Sequence, residues 1–321
     1  MKKNIHYILS GICLIISVTL FIASKDAEKV EKETPEVLAM IKSVSVPNET
    51  TFAGEKVDLT RYDNHERFDR EINTFAYMHA STMLLFKRAN RFFPIIVPIL
   101  KANNIPEDFK YLAVIESSLN PRAVSPSRAA GLWQLMSSTG SERNLEISNE
   151  VDERYSVEKS TEAACRYLQH AYRKYGSWVS AAVSYNAGMG RISNELDNQQ
   201  GESAVDLWLV DESSRYFFRM AAIKLIFESP FKYGFVITPS TLYKPIDFKD
   251  VEVNSSISDL SQFAKSQGIS FADLKEFNSW LRDRKLTVSG NKTYTIKIPK
   301  PECLSYKEPN EKVYDDRWLA Q

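Results

Sequence analysis

One acidic residue, Glu116, has surroundings that suit chemistry better than a structural role. It follows a run of almost wholly apolar residues, 109–115, and this run predicts a buried helix beginning at Pro106. The Asn-Pro pair at 120–121 should end that helix, which places Glu116 in its last turn. Burial and the negative end of the helix dipole both raise the pKa of a carboxyl group. A carboxylic acid that stays protonated near neutral pH suits general acid catalysis, although from this helix alone a structural pair with Arg122 is an equal alternative.

Three further short runs carry polar and aromatic side chains that could hold a ligand. They are residues 131–136 (GLWQLM), 184–188 (SYNAG) and 212–216 (ESSRY). An amide such as that of Gln134 offers two donors and an acceptor, and a tyrosine offers an apolar ring with a polar tip. Each run also has an ordinary structural interpretation, as a loop-fixing amide or as helix packing.

Taken in order with Glu116-Ser117, these runs resemble the four motifs of the soluble lytic transglycosylase catalytic domain. This is the goose-lysozyme-like group in glycoside hydrolase family 23, whose motifs read ES, GLMQ, AYN/AG and ET-x-x-Y. The Ser-Pro pair at 125–126, nine residues after the acid, is similar to that family too. The resemblance covers about residues 90–230. It departs from the family at Trp133, where Met is commoner, and at Ser213, where Thr is commoner.

The resemblance implies an enzyme that cleaves the glycan strand of peptidoglycan at the β-1,4 bond from N-acetylmuramic acid to N-acetylglucosamine. Most glycosidases need two carboxylates, and the sequence offers no evident partner for Glu116. A lone acid fits a lytic transglycosylase, in which Glu116 would protonate the leaving oxygen and then deprotonate the C6 hydroxyl of the muramoyl residue. That hydroxyl attacks C1 within the same molecule, which gives a large effective concentration and a 1,6-anhydro end without water.

The resemblance also assigns roles to the predicted substrate-binding residues. Ser125 would orient the Glu116 carboxyl group by a hydrogen bond, and Gln134 would bind an acetamido group. Tyr185 and Asn186 would hold sugar hydroxyls or the acetamido carbonyl. Tyr216 would place its phenol beside the acid and support charge developing at the anomeric carbon.

Two other functions remain open at this stage. A lysozyme would use the same acid with water as nucleophile, and Asp152 or Glu142 could activate that water. A non-catalytic peptidoglycan-binding protein would need no acid at all, which the intact motifs argue against.

The elements that must position these residues are helices. Apolar residues at helical spacing predict a helix over 65–101, broken near Arg91 because Pro94 and Pro98 follow. Further helices are predicted over 156–175, 178–186 and 213–228. The predicted fold class is mainly α, a lysozyme-like helical catalytic domain followed by a small α+β (βααβ) module.

That module has strands predicted at 251–253 and 294–298, with helices at 257–267 and 271–278 between them. It resembles a degenerate LysM domain, a glycan-binding unit. The Gly-Asp pair usual in its first turn is replaced by Asn-Ser-Ser at 254–256. Glycan binding and a simple packing role both stay open.

The first residues predict export. Lys2 and Lys3 precede an apolar run over 5–23, which suits an uncleaved membrane anchor or a cleaved signal peptide. We therefore expect the protein in the periplasm, tethered to the membrane by its N-terminus. The predicted division of the chain is signal or anchor (1–24), flexible linker (25–64), transglycosylase domain (65–230), linker (231–248), LysM-like module (249–299) and disordered tail (300–321).

Composition excludes several other classes. Lys+Arg and Asp+Glu both number 41, so no global basic field favours nucleic acid. The three cysteines and four histidines form no ligand-spaced cluster or disulfide framework, so we expect no metal and no cofactor. Protein partners are not indicated by the sequence.

Overall fold

The computed structural model describes residues 43–319. This part is mainly helical and carries two small two-stranded antiparallel sheets, which confirms the predicted fold class. None of its helices has the length and apolarity needed to cross a membrane. The predicted signal or anchor segment, 1–24, lies outside the described residues.

A β-hairpin opens the described chain. Strands β1 (Glu49–Phe52) and β2 (Glu55–Asp58) pair with Thr50 opposite Val57. Phe52 is fully buried, and its ring meets the rings of Phe109 and Phe217 edge-on at 5.3 and 5.8 Å. The expectation that this stretch is a solvated linker is therefore wrong. Its few apolar residues show little periodicity, and the hairpin gains its stability from contacts with distant parts of the chain.

Eight helices follow. They are α1 (Tyr62–Tyr77), α2 (His79–Ala102), α3 (Lys110–Ser117), α4 (Ser137–Glu142), α5 (Val157–Tyr175), α6 (Trp178–Ala187), α7 (Met189–Gln199) and α8 (Asp211–Glu228). The helices predicted over 156–175, 178–186 and 213–228 are confirmed within two residues at each end. Helix α7 was missed because its sequence is mostly polar and Ile192 is its one fully buried side chain.

The predicted break near Arg91 is wrong. The chain breaks at Met78 instead, and α2 continues through both Pro94 and Pro98. Both prolines face solvent on the outer side of the helix. A carbonyl that loses its N–H partner to a proline can bond water there, so the helix tolerates both.

Helix α3 carries the candidate acid into the centre of the domain. Six consecutive residues, from Lys110 to Ile115, are buried. The helix ends earlier than predicted, because Ser118 and Leu119 turn left-handed with φ of 53° and 56°. Helix α8 packs along α1 and also contacts α3 and α6, so it brings distant motifs together.

The C-terminal module has the predicted βααβ order. Strands β3 (Phe248–Val253) and β4 (Tyr294–Pro299) pair antiparallel, and α9 (Leu260–Ser266) and α10 (Phe271–Phe277) lie between them in sequence. Val151 of the helical domain is 1% exposed and belongs to this module's apolar core.

Segments predicted as a second linker and a disordered tail pack on the helical domain. Phe235 and Leu242 are buried in its core. Trp318 is 2% exposed and meets the rings of Phe86 and Phe227 edge-on at 5.3 and 5.5 Å. The prediction of disorder is therefore wrong up to residue 319, because these few apolar residues fill gaps that the sequence pattern does not reveal.

Candidate active site

The site is built around the Glu116 carboxyl group at the end of α3. Glu116 is partly exposed, whereas Tyr216 of α8 is buried beside it. The Tyr216 hydroxyl donates a hydrogen bond to Oε1 of Glu116, across 100 residues of sequence. The prediction that Tyr216 places its phenol beside the acid agrees with this geometry.

Burial raises the pKa of Glu116 to about 7, against an ordinary value of 4.5. The Tyr216 hydrogen bond and the positive charge of Arg219 act in the opposite direction, while Glu212 raises the pKa further. Desolvation therefore dominates over the groups that favour the carboxylate. A carboxyl group that is half protonated near pH 7, yet keeps contact with solvent, can both donate and accept a proton.

Tyr185 of α6 completes the inner cluster. Its hydroxyl donates to the carbonyl of Trp133 at 2.8 Å, and its ring lies edge-on to Tyr167 at 5.0 Å. Burial, and then the charge of Glu116, raise the pKa of the Tyr185 phenol. The hydroxyl thus ties α6 to the GLWQ run.

The loop that carries the GLWQ run is pinned by Arg154. Its guanidinium forms a buried bidentate pair with Asp152, and its Nη1 donates to the carbonyls of Arg128 and Leu135 at 3.0 and 3.1 Å. Gly131 packs against the same segment with φ of 79°, and a Cβ there would lie 1.8 Å from the carbonyl oxygen of Arg154. Only glycine fits this approach.

Ser117 and Trp133 act within the fold. The Ser117 hydroxyl donates to the carbonyls of Ala113 and Leu132, which joins the acid's helix to the loop. Trp133 is fully buried, and its indole N–H donates to Thr161 at 2.9 Å. The Trp in place of Met is therefore a core residue.

Ser125 and Gln134 both form hydrogen bonds within the loop that follows α3. The Ser125 hydroxyl accepts from the backbone N–H of Ala129 at 3.0 Å and makes no hydrogen bond to Glu116. Gln134 uses its amide nitrogen within the loop, donating to Ala123 and Gly131 at 3.2 and 2.8 Å. Its donors are therefore committed, and the amide oxygen is the atom left for a ligand.

Asn186 joins two of the motifs to each other. Its Oδ1 accepts from the hydroxyl of Ser213 at 2.7 Å. This contact holds the end of α6 against the start of α8, so the SYNAG and ESSRY runs meet at one place. A hydroxyl is what this contact needs, so Ser serves here as Thr would.

The carboxylates considered as partners for Glu116 are poorly suited. Asp152 is 6% exposed and both its oxygens are held by Arg154. Glu142 is exposed at the end of α4 and is not among the charges that act on Glu116. The carboxylate that does act on it is that of Glu212, which is exposed at the start of α8.

A basic residue was missed by the sequence reasoning. Arg219 lies one turn beyond Tyr216 on α8, and its charge favours the ionised form of Glu116. Its Nε lies 3.9 Å from the buried carboxylate of Glu71, which also pairs with Arg215 at 2.5 Å. The signal available was the i, i+3 spacing from Tyr216, which puts both side chains on one helix face.

The cavity between the helical domain and the C-terminal module is not the site of the acid. A cavity of about 490 Å³ opens between the helical domain and the C-terminal module, with Phe92 and Tyr155 on one side and Phe277 and Trp280 on the other. Glu116 does not line it.

Comparison with known proteins supports the resemblance found from the sequence motifs. Residues 94–207 match the Transglycosylase SLT domain family model, and residues 249–302 match the Soluble lytic transglycosylase C-terminal LysM-like domain. The predicted resemblance is confirmed over these two segments. All the candidate site residues except Tyr216 lie within the first segment.

Individual lytic transglycosylases are also similar to this chain in sequence. The chain is 28% identical over 265 residues to the membrane-bound lytic murein transglycosylase D of Escherichia coli strain K12, covering 80% of this chain and 57% of that relative. The chain thus spans little more than half of that relative's length. It is also 33% identical over 92 residues to the soluble lytic murein transglycosylase of Salmonella typhimurium, covering 27% of this chain and 14% of that protein.

Among solved structures, the 70-kDa soluble lytic transglycosylase from Escherichia coli is similar. The match has a TM-score of 0.37 at 24% identity and covers 40% of this chain and 23% of that chain.

Proposed function

We propose that this protein is a peptidoglycan lytic transglycosylase. It cleaves the β-1,4 bond from N-acetylmuramic acid to N-acetylglucosamine and leaves 1,6-anhydromuramoyl ends, a lyase reaction of the kind assigned to glycoside hydrolase family 23. The observation that carries the proposal is the desolvated carboxyl group of Glu116, with a pKa of about 7 and a hydrogen bond from Tyr216. The matches to two lytic transglycosylase family models support it.

Glu116 acts twice on the way through the reaction. In its protonated form it gives its proton to the glycosidic oxygen as the bond from C1 to that oxygen breaks. The resulting carboxylate then takes the proton of the C6 hydroxyl while O6 bonds to C1. Glu116 ends protonated, no water is consumed, and a pKa near 7 suits both steps.

The Tyr216 hydroxyl favours the carboxylate that exists between these two steps. It donates to Glu116, and a hydrogen bond to a charged group is stronger than one between neutral groups. The hydroxyl therefore stabilises the stage at which positive charge is greatest at the anomeric carbon.

The hydrogen bonds within the fold limit what the remaining predicted ligands can do. Through its amide oxygen, Gln134 accepts from a sugar N–H or hydroxyl. Tyr185 presents its ring, since its hydroxyl is bonded to Trp133. Asn186 is held by Ser213, and Ser125 shapes the loop rather than the carboxyl group.

The location follows from the same proposal. The N-terminal segment carries the chain out of the cytoplasm and keeps it at the membrane, and the similarity to a membrane-bound lytic murein transglycosylase supports this. The helical domain, 65–230, does the chemistry, and the LysM-like module, 249–299, holds the glycan strand. Cell-wall turnover or remodelling is the process served.

The test is mass spectrometry of the products released from purified sacculi by the full chain. We expect muropeptides with 1,6-anhydromuramoyl ends, each one water lighter than a lysozyme product. The Glu116→Gln variant should release about 10²–10⁴-fold less, the usual contribution of a general acid. Glu142→Gln, the same change at an exposed carboxylate, is the matched control and should leave release unchanged.

Products with reducing ends would instead establish a hydrolase with water as nucleophile. Absence of release by the parent chain, with the protein still sedimenting with sacculi, would leave a binding protein.

A further inference from the structure

Two aromatic side chains project into solvent beside the start of α8. Trp208 is 84% exposed and Tyr62 is 78% exposed, the highest values of any aromatic side chain in residues 43–319. Both line one open cavity of about 310 Å³. Exposed large aromatic side chains that share a concave surface are characteristic of a binding site.

The exposure of Trp208 is built into its loop. Its neighbours Leu207 and Leu209 are 2% and 8% exposed, so their burial turns the indole outward. The side-chain amide of Gln199 grips the Trp208 backbone on both sides, accepting from its N–H at 2.8 Å and donating to its carbonyl at 3.1 Å. Because the backbone is already fixed, a ligand that packs on the exposed ring causes little further loss of conformational entropy.

The preceding part of the loop is fixed as well. Arg67 of α1 donates to the carbonyl of Val205 at 3.3 Å. Arg61 reaches Asp206 at 3.4 Å and also holds Asp63. These contacts tie the loop to the start of α1, which carries Tyr62, so the two aromatic rings keep their relation to each other.

Hydrogen-bonding groups surround the two rings. Carboxylates of Asp63, Glu66 and Asp206 line the same cavity. Glu66 is exposed, and within residues 43–319 no hydrogen bond or ion pair engages its carboxylate. Aromatic faces flanked by carboxylate acceptors fit a saccharide, whose C–H face packs on a ring while its hydroxyl and acetamido N–H groups donate to acids.

The two exposed aromatic side chains are within reach of the acid. Trp208 lies three residues before α8, and Tyr216 lies in that helix at its second turn. Extended chain and helix rise together allow at most about 18 Å between their Cα atoms. A glycan strand of a few linked sugars is long enough to touch both.

We propose that Tyr62 and Trp208 form an aromatic platform that binds the glycan strand several sugars away from the bond cleaved at Glu116. This rests on the proposed function, since it takes the strand that Glu116 cuts as its ligand. The platform is separate from the LysM-like module and lies on the helical domain itself. Its role is to hold long strands in preference to short ones.

The test is binding of β-1,4-linked N-acetylglucosamine oligomers to the full chain carrying Glu116→Gln, measured by titration calorimetry. We expect the hexamer to bind more tightly than the dimer. Adding Trp208→Ala should weaken hexamer binding several-fold to about tenfold, and should leave dimer binding unchanged. Tyr62→Ala should act in the same direction.

Phe231→Ala is the matched control. Phe231 is 68% exposed just beyond the opposite end of α8, so removing its ring tests whether any exposed aromatic residue would do. All three rings lie on the surface, and unchanged thermal unfolding would show that each variant is folded.

The outcomes separate this inference from the proposed function. Hexamer binding that is equal in the parent and in both platform variants overturns the platform, whatever products the enzyme releases. Weakened binding to sacculi with unchanged binding to the oligomers also overturns it, since the surface would then take a protein or peptide. Trp208-dependent hexamer binding by a chain that releases no anhydro products supports the platform and defeats the proposed function.

Discussion

At the Glu116 carboxyl group, burial and hydrogen bonding oppose each other. Burial raises the pKa and the Tyr216 hydroxyl lowers it, with a result of about 7. The carboxyl group therefore destabilises the folded protein at high pH, and near neutral pH it can transfer a proton. Two predictions follow from this balance at the scale of single residues.

The first concerns stability against pH. The folded-state pKa of Glu116, about 7, lies above the ordinary value of 4.5, so the folded state binds this proton more tightly than the unfolded state. The stabilising contribution is complete below pH 4.5 and is lost as pH rises through 7. We expect Glu116→Gln to remove this loss and to gain up to about 3 kcal/mol in unfolding free energy, relative to the parent, between pH 4.5 and 8.

Urea unfolding of both proteins at a series of pH values measures it. If the unfolding free energies of parent and variant change in parallel across that pH range, the pKa of Glu116 is not elevated.

The second prediction concerns the pH dependence of activity. Tyr216→Phe removes a hydrogen bond that favours the carboxylate, so the pKa of Glu116 should rise further. The alkaline fall in kcat/KM should move to higher pH, because the acid stays protonated longer. Rates of muropeptide release from sacculi, measured from pH 5 to 9, report this.

Tyr185→Phe is the control for that shift. Its hydroxyl bonds Trp133 and not the acid, so the alkaline fall should stay where it is in the parent. Equal displacement in both variants would mean that the two phenols act through packing alone.

At the scale of elements, a buried ion pair fixes α8 against α1. Glu71 of α1 is 1% exposed and accepts from Arg215 at 2.5 Å, with Arg219 at 3.9 Å. Tyr216 lies between these two arginines in sequence. The pair therefore sets the placement of the helix that brings Tyr216 to Glu116.

Glu71→Gln should destabilise the protein by about 3 kcal/mol, because it leaves the guanidinium of Arg215 beside a neutral group at a buried position. The control is Asp211→Asn, which removes the other, 69% exposed carboxylate partner of Arg215 and should cost less than about 1 kcal/mol. Denaturant unfolding of the two variants compares them directly. Equal losses would show that burial at Glu71 does not matter.

Across the whole molecule, the last residues close the helical core. Trp318 packs among Phe86, Phe93 and Phe227, which belong to α2 and α8. Trp318→Ala should cost about 3–5 kcal/mol, as expected for removing a large buried aromatic side chain. Leu304→Ala, at a 41% exposed site, should cost little.

Thermal or denaturant unfolding of both variants is the measurement. A Trp318 variant as stable as the parent would mean that the C-terminal residues are not part of the folded core.

Much of this protein was determined by local sequence. Helix α5 was predicted from its helically spaced apolar residues and from Gly176 as its stop, and the structure adds a cap at Ser156. The module's βααβ order was predicted from local patterns too, such as the period-two alternation of residues 294–298. The motif residues could be named because their types and order can be read from the sequence without knowledge of the fold.

Tertiary structure alone decided what each motif residue touches. Glu116 takes its hydrogen bond from Tyr216, 100 residues away, and not from Ser125, nine residues away. The hairpin around Phe52 and the segment around Trp318 are ordered only by distant rings. Sequence fixes local preferences at each position, whereas burial, pKa and hydrogen-bond partners depend on which distant surfaces meet when the core closes.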